Sequence, residues 1–168
     1  MECVMATFNL GGLGARSEKA GTMMIAYGSN LNPVLMGERV GPYRIYSIGT
    51  VPGYRLTFAG QSRRWGGPVA TLVKTTRETA KSTPVVVYVL DDDQMETMDA
   101  NEGVGIGVYR KEQIYVTTPF EKFRATVYLH NSTEYGKPTR EYVNAIRRGY
   151  KSFGFDESIL DAAIRAAK

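Results

Sequence analysis

MMIAYGSNLNPVLMGER, residues 23–39, joins an apolar run to a glycine and to the start of a helix pattern. An apolar run at 23–27 is ended by Gly28, which predicts a buried strand that enters a tight loop. Asn32 suits a helix N-cap and Pro33 suits the first helical position, so a short helix is expected to follow. The stretch therefore predicts a strand, a small polar loop and a helix in direct succession.

The rest of the chain carries strand and helix patterns that do not alternate strictly. Strands are expected at 43–58, where turn residues divide the run into two strands or bend one, and at 69–74, 84–90, 108–116 and 122–129. Helices are expected at 91–103, 139–150 and 156–168. This order predicts an α+β fold, with a small mixed or closed sheet and flanking helices, and no repeat or linker indicates a second domain.

The first residues of the chain differ in composition from the rest. Residues 1–22 are rich in Gly, Ala and polar side chains and lack apolar periodicity. Such a segment buries too little apolar surface to contribute to a core. We therefore expect a flexible leader at 1–22 and a single domain at 23–168.

Charge and cysteine content limit the classes of partner. The net charge of +4 is dispersed, and the longest basic runs are Arg63-Arg64 and Arg147-Arg148, which argues against a nucleic-acid partner. No apolar run approaches the roughly 20 residues that cross a bilayer, so no membrane partner is expected. Cys3 is the one cysteine, which excludes an intrachain disulfide and suits a cytoplasmic location. A homodimer stays open.

The loop after the first strand is the first candidate site. Gly28 allows the backbone to turn sharply and a ligand to approach closely. The amides of Gly28, Ser29 and Asn30 can then converge on a carboxylate or an oxyanion, as amides at a helix start do. The alternative is that Ser29 and Asn30 only cap a turn.

A second candidate lies where the helix at 91–103 is expected to end. Glu102 precedes Gly103, which fits the left-handed residue that commonly ends a helix. Asp99 lies three residues earlier on the same side, and a nearby like charge together with burial would raise the pKa of Glu102. That would suit a general acid/base. The alternative is a solvated carboxylate at a helix end.

The remaining polar features exclude several chemistries. The loop at Arg63-Arg64-Trp65 either faces a charged or planar ligand or is a surface loop with an anchoring tryptophan. His130 is the single histidine, and no cluster has metal-ligand spacing, so no metal is expected. Ser29 lacks the Gly-x-Ser-x-Gly setting of a nucleophile, and no phosphate-binding P-loop motif is present.

Taken together, these segments resemble the γ-glutamylcyclotransferase family and its AIG2-like and γ-glutamylamine cyclotransferase relatives. The similarity runs from Met24 to about Gly149. The matching segments are Tyr27-Gly28-Ser29-Asn30-Leu31, Trp65-Gly66-Gly67 with Ala70-Thr71, Val85-Val86-Val87-Tyr88, Asp99-Ala100-Asn101-Glu102-Gly103 with Gly107-Val108-Tyr109, and Tyr128-Leu129. The loop motif alone has modest specificity, and its occurrence in order with the glutamate segment adds much more.

The resemblance implies a small mixed β-barrel with flanking helices, a substrate cavity at its mouth and no cofactor. It implies that Glu102 is the catalytic acid/base, and that the loop Tyr27 to Leu31, above all the amides of Gly28, Ser29 and Asn30, holds the substrate. The candidate residues for lining the cavity are Tyr27, Tyr109, Tyr128 and Tyr142. The implied substrate is a small γ-glutamyl compound that is closed into 5-oxoproline.

Two hypotheses of function follow from the resemblance. In the first, the chain is an enzyme that releases 5-oxoproline and a free amine or amino acid. In the second, it is a non-catalytic binding module of the same fold that sequesters a small anionic ligand such as a nucleotide. Glu102 discriminates between them, because a binder of anions gains nothing from a buried carboxylate.

Overall fold

The computed structural model describes residues 20–76 and 82–168. The elements in chain order are β1 (Thr22–Ala26), α1 (Pro33–Val40), β2 (Arg44–Val51), β3 (Tyr54–Ser62), β4 (Gly67–Lys74), β5 (Thr83–Leu90), α2 (Asp92–Asn101), β6 (Tyr109–Thr117), β7 (Lys122–His130), α3 (Arg140–Phe153) and α4 (Glu157–Ala166). Short 3₁₀ turns at Ser29–Leu31 and Val104–Ile106 connect some of them.

Five strands close into a barrel in the order β1-β5-β2-β6-β7. The ring is closed where β1 and β7 pair in parallel, with Ile25 opposite Val127, while the other barrel pairs are antiparallel. Together with the four helices of the described residues, this confirms the prediction of an α+β fold built on a small mixed barrel.

Strand β5 lies between β1 and β2 and supplies the centre of the core. Val85, Val86, Val87 and Tyr88 are fully buried. A strand buried on both faces reads as a continuous apolar run rather than an alternating one. The stretch PVVVYVL at 84–90 has this pattern, and the strand expected there is confirmed.

The run at 43–58 forms two strands, and they belong to different sheets. The turn between β2 and β3 contains Gly53 at φ +77°, a left-handed conformation that favours glycine. β2 joins the barrel, whereas β3 pairs with β4 as a separate two-stranded hairpin. The hairpin is tied to the barrel end, where the His130 amide donates to Thr71 Oγ1 at 3.1 Å.

Local capping determines where the helices begin and end. The Asn32 side chain accepts from the Val34 amide at 3.1 Å, and Pro33 occupies the first turn of α1. Asp91 caps α2 in a reciprocal capping box with Gln94. Helix α2 ends at Asn101, Glu102 is its C-cap residue, and Gly103 follows at φ +63° in the left-handed region. The capping residues therefore place Glu102 at the C-terminal end of α2.

The first strand begins slightly earlier than expected. Thr22, which was assigned to the leader, is already paired with Leu90 in the barrel. Residues 1–19 lie outside the described residues, so the prediction of a flexible leader stays a prediction. Among the helices of the described ranges, none is long and apolar enough to cross a membrane.

Helix α3 lies directly against the loop that follows β1. Gly149 faces Leu31 so closely that a Cβ added to the glycine would lie 2.4 Å from Leu31 Cβ and 2.6 Å from its carbonyl carbon. Both residues are buried. The contact involves backbone, which cannot rotate away, so this glycine sets the distance between helix and loop.

Gly149→Ala is therefore expected to destabilise the protein by about 1–3 kcal/mol, the range for forcing extra atoms into a packed core. Helix propensity alone predicts the opposite sign, since Ala in place of Gly gains about 1 kcal/mol in a helix interior. Urea unfolding of the two proteins measures the difference. Asn144→Ala, at an exposed position of α3, is the matched control and should leave the unfolding midpoint nearly unchanged. A stabilised Gly149→Ala variant would contradict the packing argument.

Candidate functional site

The loop after β1 is packed against two other elements. Gly28 has φ −114°, so its role is spatial rather than conformational. A Cβ at this position would lie 2.9 Å from Ala70 Cβ on β4 and 3.2 Å from Tyr142 Oη on α3. The close approach expected of Gly28 is thus made to the protein itself. The amides of Ser29 and Asn30 begin a 3₁₀ turn, where N–H groups have no partner within the turn.

Glu102 points into this loop from the end of α2. Asn30 Nδ2 donates to Glu102 Oε1 at 3.0 Å. The Arg39 guanidinium donates to Asn30 Oδ1 and to Ser29 Oγ, the latter at 3.3 Å. Asn30 is therefore oriented by Arg39, and its amide group in turn orients the carboxylate.

Burial raises the pKa of the Glu102 carboxyl above its ordinary value, and this effect outweighs the Arg39 charge and the Asn30 hydrogen bond, which lower it. The side chain is surrounded by protein on most sides but keeps some solvent-accessible surface. Glu102 thus combines a protected environment with access to a ligand. A carboxyl group of this kind exchanges protons nearer to neutral pH than a solvated one does.

Asp99 plays a different part from the one that its spacing suggested. Its carboxylate binds Lys111 Nζ at 2.5 Å and accepts from Tyr128 Oη at 2.6 Å. Burial raises the pKa of Asp99, but these two donors outweigh it and hold the pKa below the ordinary value. The Asp99 charge is absent from the causes of the Glu102 shift, so the expectation that it would raise that pKa is wrong. Its charge is neutralised by Lys111 instead.

A small inner pocket of about 40 Å³ lies between the loop and Glu102. Its lining includes most residues that the sequence singled out, namely Tyr27, Gly28, Ser29, Asn30, Glu102, Tyr109, Tyr128 and Tyr142. These residues come from the first strand and its loop, from the end of α2, from β6 and β7, and from α3. Residues that are far apart in the chain thus share one polar pocket. Leu31 is fully buried and packs against Gly149, outside the lining of this pocket.

The four tyrosines of the inner pocket have their hydroxyl groups engaged. Tyr27 donates to the Tyr128 carbonyl at 2.5 Å, and Tyr109 donates to the Ala70 carbonyl at 3.1 Å. Tyr142 accepts from the Ala70 amide at 2.9 Å. Burial is the main cause that raises the pKa of all four phenols, in the case of Tyr142 to about 12. They are therefore neutral near pH 7 and leave Glu102 as the titrating group of this pocket.

A larger outer cleft of about 530 Å³ adjoins the inner pocket. Ser29, Glu102 and Tyr109 line both spaces, so they mark the junction. The other walls come from the end of β3 with the turn after it, at 61–65, and from the end of α2 with the segment after it, with Arg39 and His130 beside them. Glu102 therefore faces a narrow polar space on one side and a wide cleft on the other.

Arg39 is the site residue that sequence reasoning missed. It lies in the last turn of α1, and burial lowers the pKa of its guanidinium from a high ordinary value. Helical spacing tells which residues of α1 share a face, but the docking of that face against the loop depends on the rest of the fold. The sequence did show that α1 begins directly after the polar loop, so a side chain of α1 could contact that loop.

No group of three or more His, Cys, Asp or Glu side chains within 20–76 and 82–168 could hold a metal ion. The described site offers a carboxyl group, backbone amides, phenols and the partly buried Arg39 guanidinium.

Comparison with known proteins finds similarity to the same proteins that the sequence motifs resemble. A model of the AIG2-like family matches residues 83–161. The chain is 27% identical over 144 residues to the γ-glutamylcyclotransferase of Mus musculus, an alignment that covers 80% of this chain and 73% of the mouse protein. These similarities confirm the resemblance to the γ-glutamylcyclotransferase and AIG2-like proteins.

Solved structures confirm the fold. A γ-glutamyl cyclotransferase superposes with a TM-score of 0.78 at 22% identity, covering 88% of both chains. An uncharacterized protein from Homo sapiens superposes with a TM-score of 0.79, also at 22% identity, covering 89% of both chains.

Removing the Arg39 charge tests the electrostatic description of the site. Arg39→Met keeps the aliphatic stem and loses the cation that lowers the Glu102 pKa, so that pKa should rise further. A ¹³C NMR titration of the carboxyl groups measures it, with Glu102→Gln assigning the resonance. Arg148→Met, at an exposed site of α3, is the charge-matched control. A Glu102 pKa that is unchanged or lower in Arg39→Met would refute the coupling.

Proposed function

We propose that this chain, a relative of the γ-glutamylcyclotransferases, cyclises a γ-glutamyl compound to 5-oxoproline and releases its amine. The observation that carries the proposal is Glu102, a carboxyl group with a raised pKa at the junction of the inner pocket and the outer cleft. The pocket around it is otherwise walled by neutral phenols and backbone amides.

The reaction needs few groups from the protein. A γ-glutamyl compound carries its own nucleophile, the α-amine, and its own electrophile, the γ-carbonyl, so holding it in a ring-like pose supplies the proximity. The amine nitrogen bonds to the γ-carbon, and the bond from that carbon to the leaving nitrogen breaks. The α-ammonium loses two protons in becoming the ring N–H. Glu102 takes one of them and passes it to the departing nitrogen, which leaves as an amine, and the other goes to that amine or to solvent. A single carboxylate therefore serves as base and as acid.

The sizes of the two spaces divide the substrate between them. The inner pocket of about 40 Å³ is far smaller than the outer cleft and is lined by polar side chains, so it suits a small polar group. The outer cleft of about 530 Å³ has room for the leaving amine. We therefore orient the glutamyl head towards the tyrosines and the leaving group towards the β3–β4 turn.

Hydrogen-bond donors are available for the negative charges of the glutamyl head. The amides of Ser29 and Asn30 at the start of the 3₁₀ turn, with the nearby Arg39 guanidinium, suit the α-carboxylate or the developing oxyanion. Preformed donors of this kind stabilise charge without reorganising during the reaction. Glu102 then transfers the proton, and the donors of the loop stabilise the negative charge of the glutamyl head.

The second candidate function is a non-catalytic module that sequesters a small anion such as a nucleotide. The observation that favours it is the group of cations at the outer cleft, Arg39, Arg63 and Arg64. Glu102 argues against it, because a carboxylate at the junction repels an anion whenever it is ionised. Assaying 5-oxoproline release from a panel of γ-glutamyl compounds distinguishes the two functions.

Glu102→Gln is the direct test of the mechanism. The amide keeps the shape and can still accept from Asn30, but it cannot take a proton, and such help is typically worth about 10²–10⁴-fold in rate. The variant should fold, bind a γ-glutamyl ligand and lose 5-oxoproline formation by at least that order. Turnover by chromatography and binding by calorimetry are measured on the same preparation. Glu96→Gln, exposed on the same helix, should retain full activity, and a Glu102→Gln variant that does so as well would sink the mechanism.

The pH profile gives an independent check. The ionised form of Glu102 accepts the proton, and its pKa is raised above the ordinary 4.5. Activity should therefore fall as the pH drops through a value above 4.5, and Arg39→Met should move this acid limb to higher pH. The limb is read from initial rates between pH 4 and pH 8, conditions under which the fold is monitored by circular dichroism. An acid limb below pH 4.5 would exclude Glu102 as its source.

A further inference from the structure

Asp99 lies in the last turn of α2 and contacts two strands of the barrel. Its carboxylate accepts from Tyr128 Oη on β7 at 2.6 Å and binds Lys111 Nζ on β6 at 2.5 Å. Lys111 and Tyr128 lie directly opposite each other on these antiparallel strands, so their side chains are on the same face of the sheet. One carboxylate thus joins the C-terminal end of α2 to both strands.

This contact lies between the apolar part of α2 and Glu102. Met98 is fully buried, whereas Ala100 and Asn101 are exposed. Apolar packing therefore anchors the helix as far as Met98. Glu102 follows Asp99 by three residues, which places the two on the same side of the helix. Asp99 is consequently well placed to determine where the end of the helix, and Glu102 with it, lies against the barrel.

Tyr128 connects this helix end with the loop that follows β1. Its hydroxyl donates to Asp99, while its main-chain carbonyl accepts from Tyr27 Oη at 2.5 Å. Tyr27 directly precedes the loop that carries Asn30. The two sides of the Asn30–Glu102 hydrogen bond are therefore both bound to one residue of β7.

The two contacts of Asp99 differ in strength. The ion pair with Lys111 is partly solvated, since the two side chains are 39% and 31% exposed, and such pairs contribute little by themselves. Tyr128 is buried, and a hydrogen bond from a buried donor to a charged acceptor is among the stronger kinds. The bond from Tyr128 should therefore carry most of the effect, with Lys111 orienting the carboxylate.

We infer that Asp99 is a positioning residue, which acts through Tyr128 to hold the Glu102 carboxylate in place against Asn30. This inference rests on the proposed function, because it concerns the group that transfers the proton. It adds a residue that lies outside the lining of both the inner pocket and the outer cleft.

Tyr128→Phe is the most selective test, because it removes one oxygen atom and no charge. The kcat for 5-oxoproline release should fall by about 10–10²-fold, since a misplacement of about 1 Å can cost about 10²-fold in rate. KM should change little, because the donors of the loop remain. The substrate is the γ-glutamyl compound that the wild-type protein turns over fastest. Tyr46→Phe, which loses a hydrogen bond to Glu121 at 2.8 Å on the barrel surface, is the matched control and should retain full kcat.

Substitutions of Asp99 show whether the two residues act together. Asp99→Ala should lower kcat as Tyr128→Phe does, and the double variant should be little worse than Asp99→Ala alone, because both changes remove the same bond. Asp99→Asn keeps an oxygen that can accept from Tyr128 and should retain most of the kcat. Asp161→Ala, which breaks an ion pair with Arg147 at 2.6 Å outside the site, should have no effect.

The pKa of Glu102 gives a reading that does not depend on turnover. Burial is the main cause that raises this pKa, so a helix end that is held less firmly should let water in and lower it towards the ordinary 4.5. The comparison is made by ¹³C NMR between the wild-type protein and Tyr128→Phe, in which the charge of Asp99 is retained. Glu102→Gln assigns the resonance.

The outcomes separate this inference from the function on which it rests. Wild-type kcat in Tyr128→Phe, a loss confined to KM, or losses that multiply in the double variant would overturn the inference and keep the proposed function. If Tyr128→Phe does not fold, equal losses in Asp99→Asn and Asp99→Ala would overturn it instead. Release of 5-oxoproline from none of the γ-glutamyl compounds would overturn the proposed function. The NMR titration then decides the inference, and a Glu102 pKa unchanged in Tyr128→Phe would contradict it.

Discussion

The site depends on one packing constraint, the clamping of the loop at 28–31 between two glycine contacts. Gly149 brings the backbone of α3 against Leu31, and Gly28 brings the loop against Ala70 and Tyr142. Each contact leaves no room for a Cβ, so the loop is held at a fixed distance from both neighbours. The side chains and amides of Ser29 and Asn30 are consequently presented to Glu102 by packing rather than by their own preferences.

Given this clamp, the electrostatics of Glu102 follow from a competition between burial and polar partners. Burial disfavours the ionised form, while Arg39 and the Asn30 amide favour it, and burial prevails. Since the folded-state pKa exceeds the unfolded one, Glu102 contributes stability below its unfolded pKa of about 4.5, and this contribution is lost as the pH rises through the folded pKa. At neutral pH the charged carboxylate is a cost to folding. A buried carboxylate of this kind is typical of functional sites, where such costs are retained.

The separate β3–β4 hairpin adds residues to the outer cleft beside the closed barrel. A barrel with its strands fully closed offers no edge for a ligand, and the end of β7 is covered by β4 through the contact of His130 with Thr71. The β3–β4 turn and the segment that follows α2 both line the outer cleft. Under the proposed function, the glutamyl head lies at the barrel end and the leaving group lies towards the hairpin.

Most of the local structure could be predicted from neighbouring residues in the sequence. The buried strand at 84–90, the helix caps at Asn32 and Asp91 and the left-handed Gly103 all follow from short-range rules of burial, hydrogen bonding and backbone sterics. The motifs also indicated which residues to examine as a site, because the loop and the glutamate segment are each read from neighbouring residues. Only the tertiary structure decided that Arg39 orients Asn30, that Lys111 and Tyr128 bind Asp99, and that β3 leaves the barrel. These features depend on contacts between residues far apart in the chain, and helix or strand periodicity carries no information about which faces will meet.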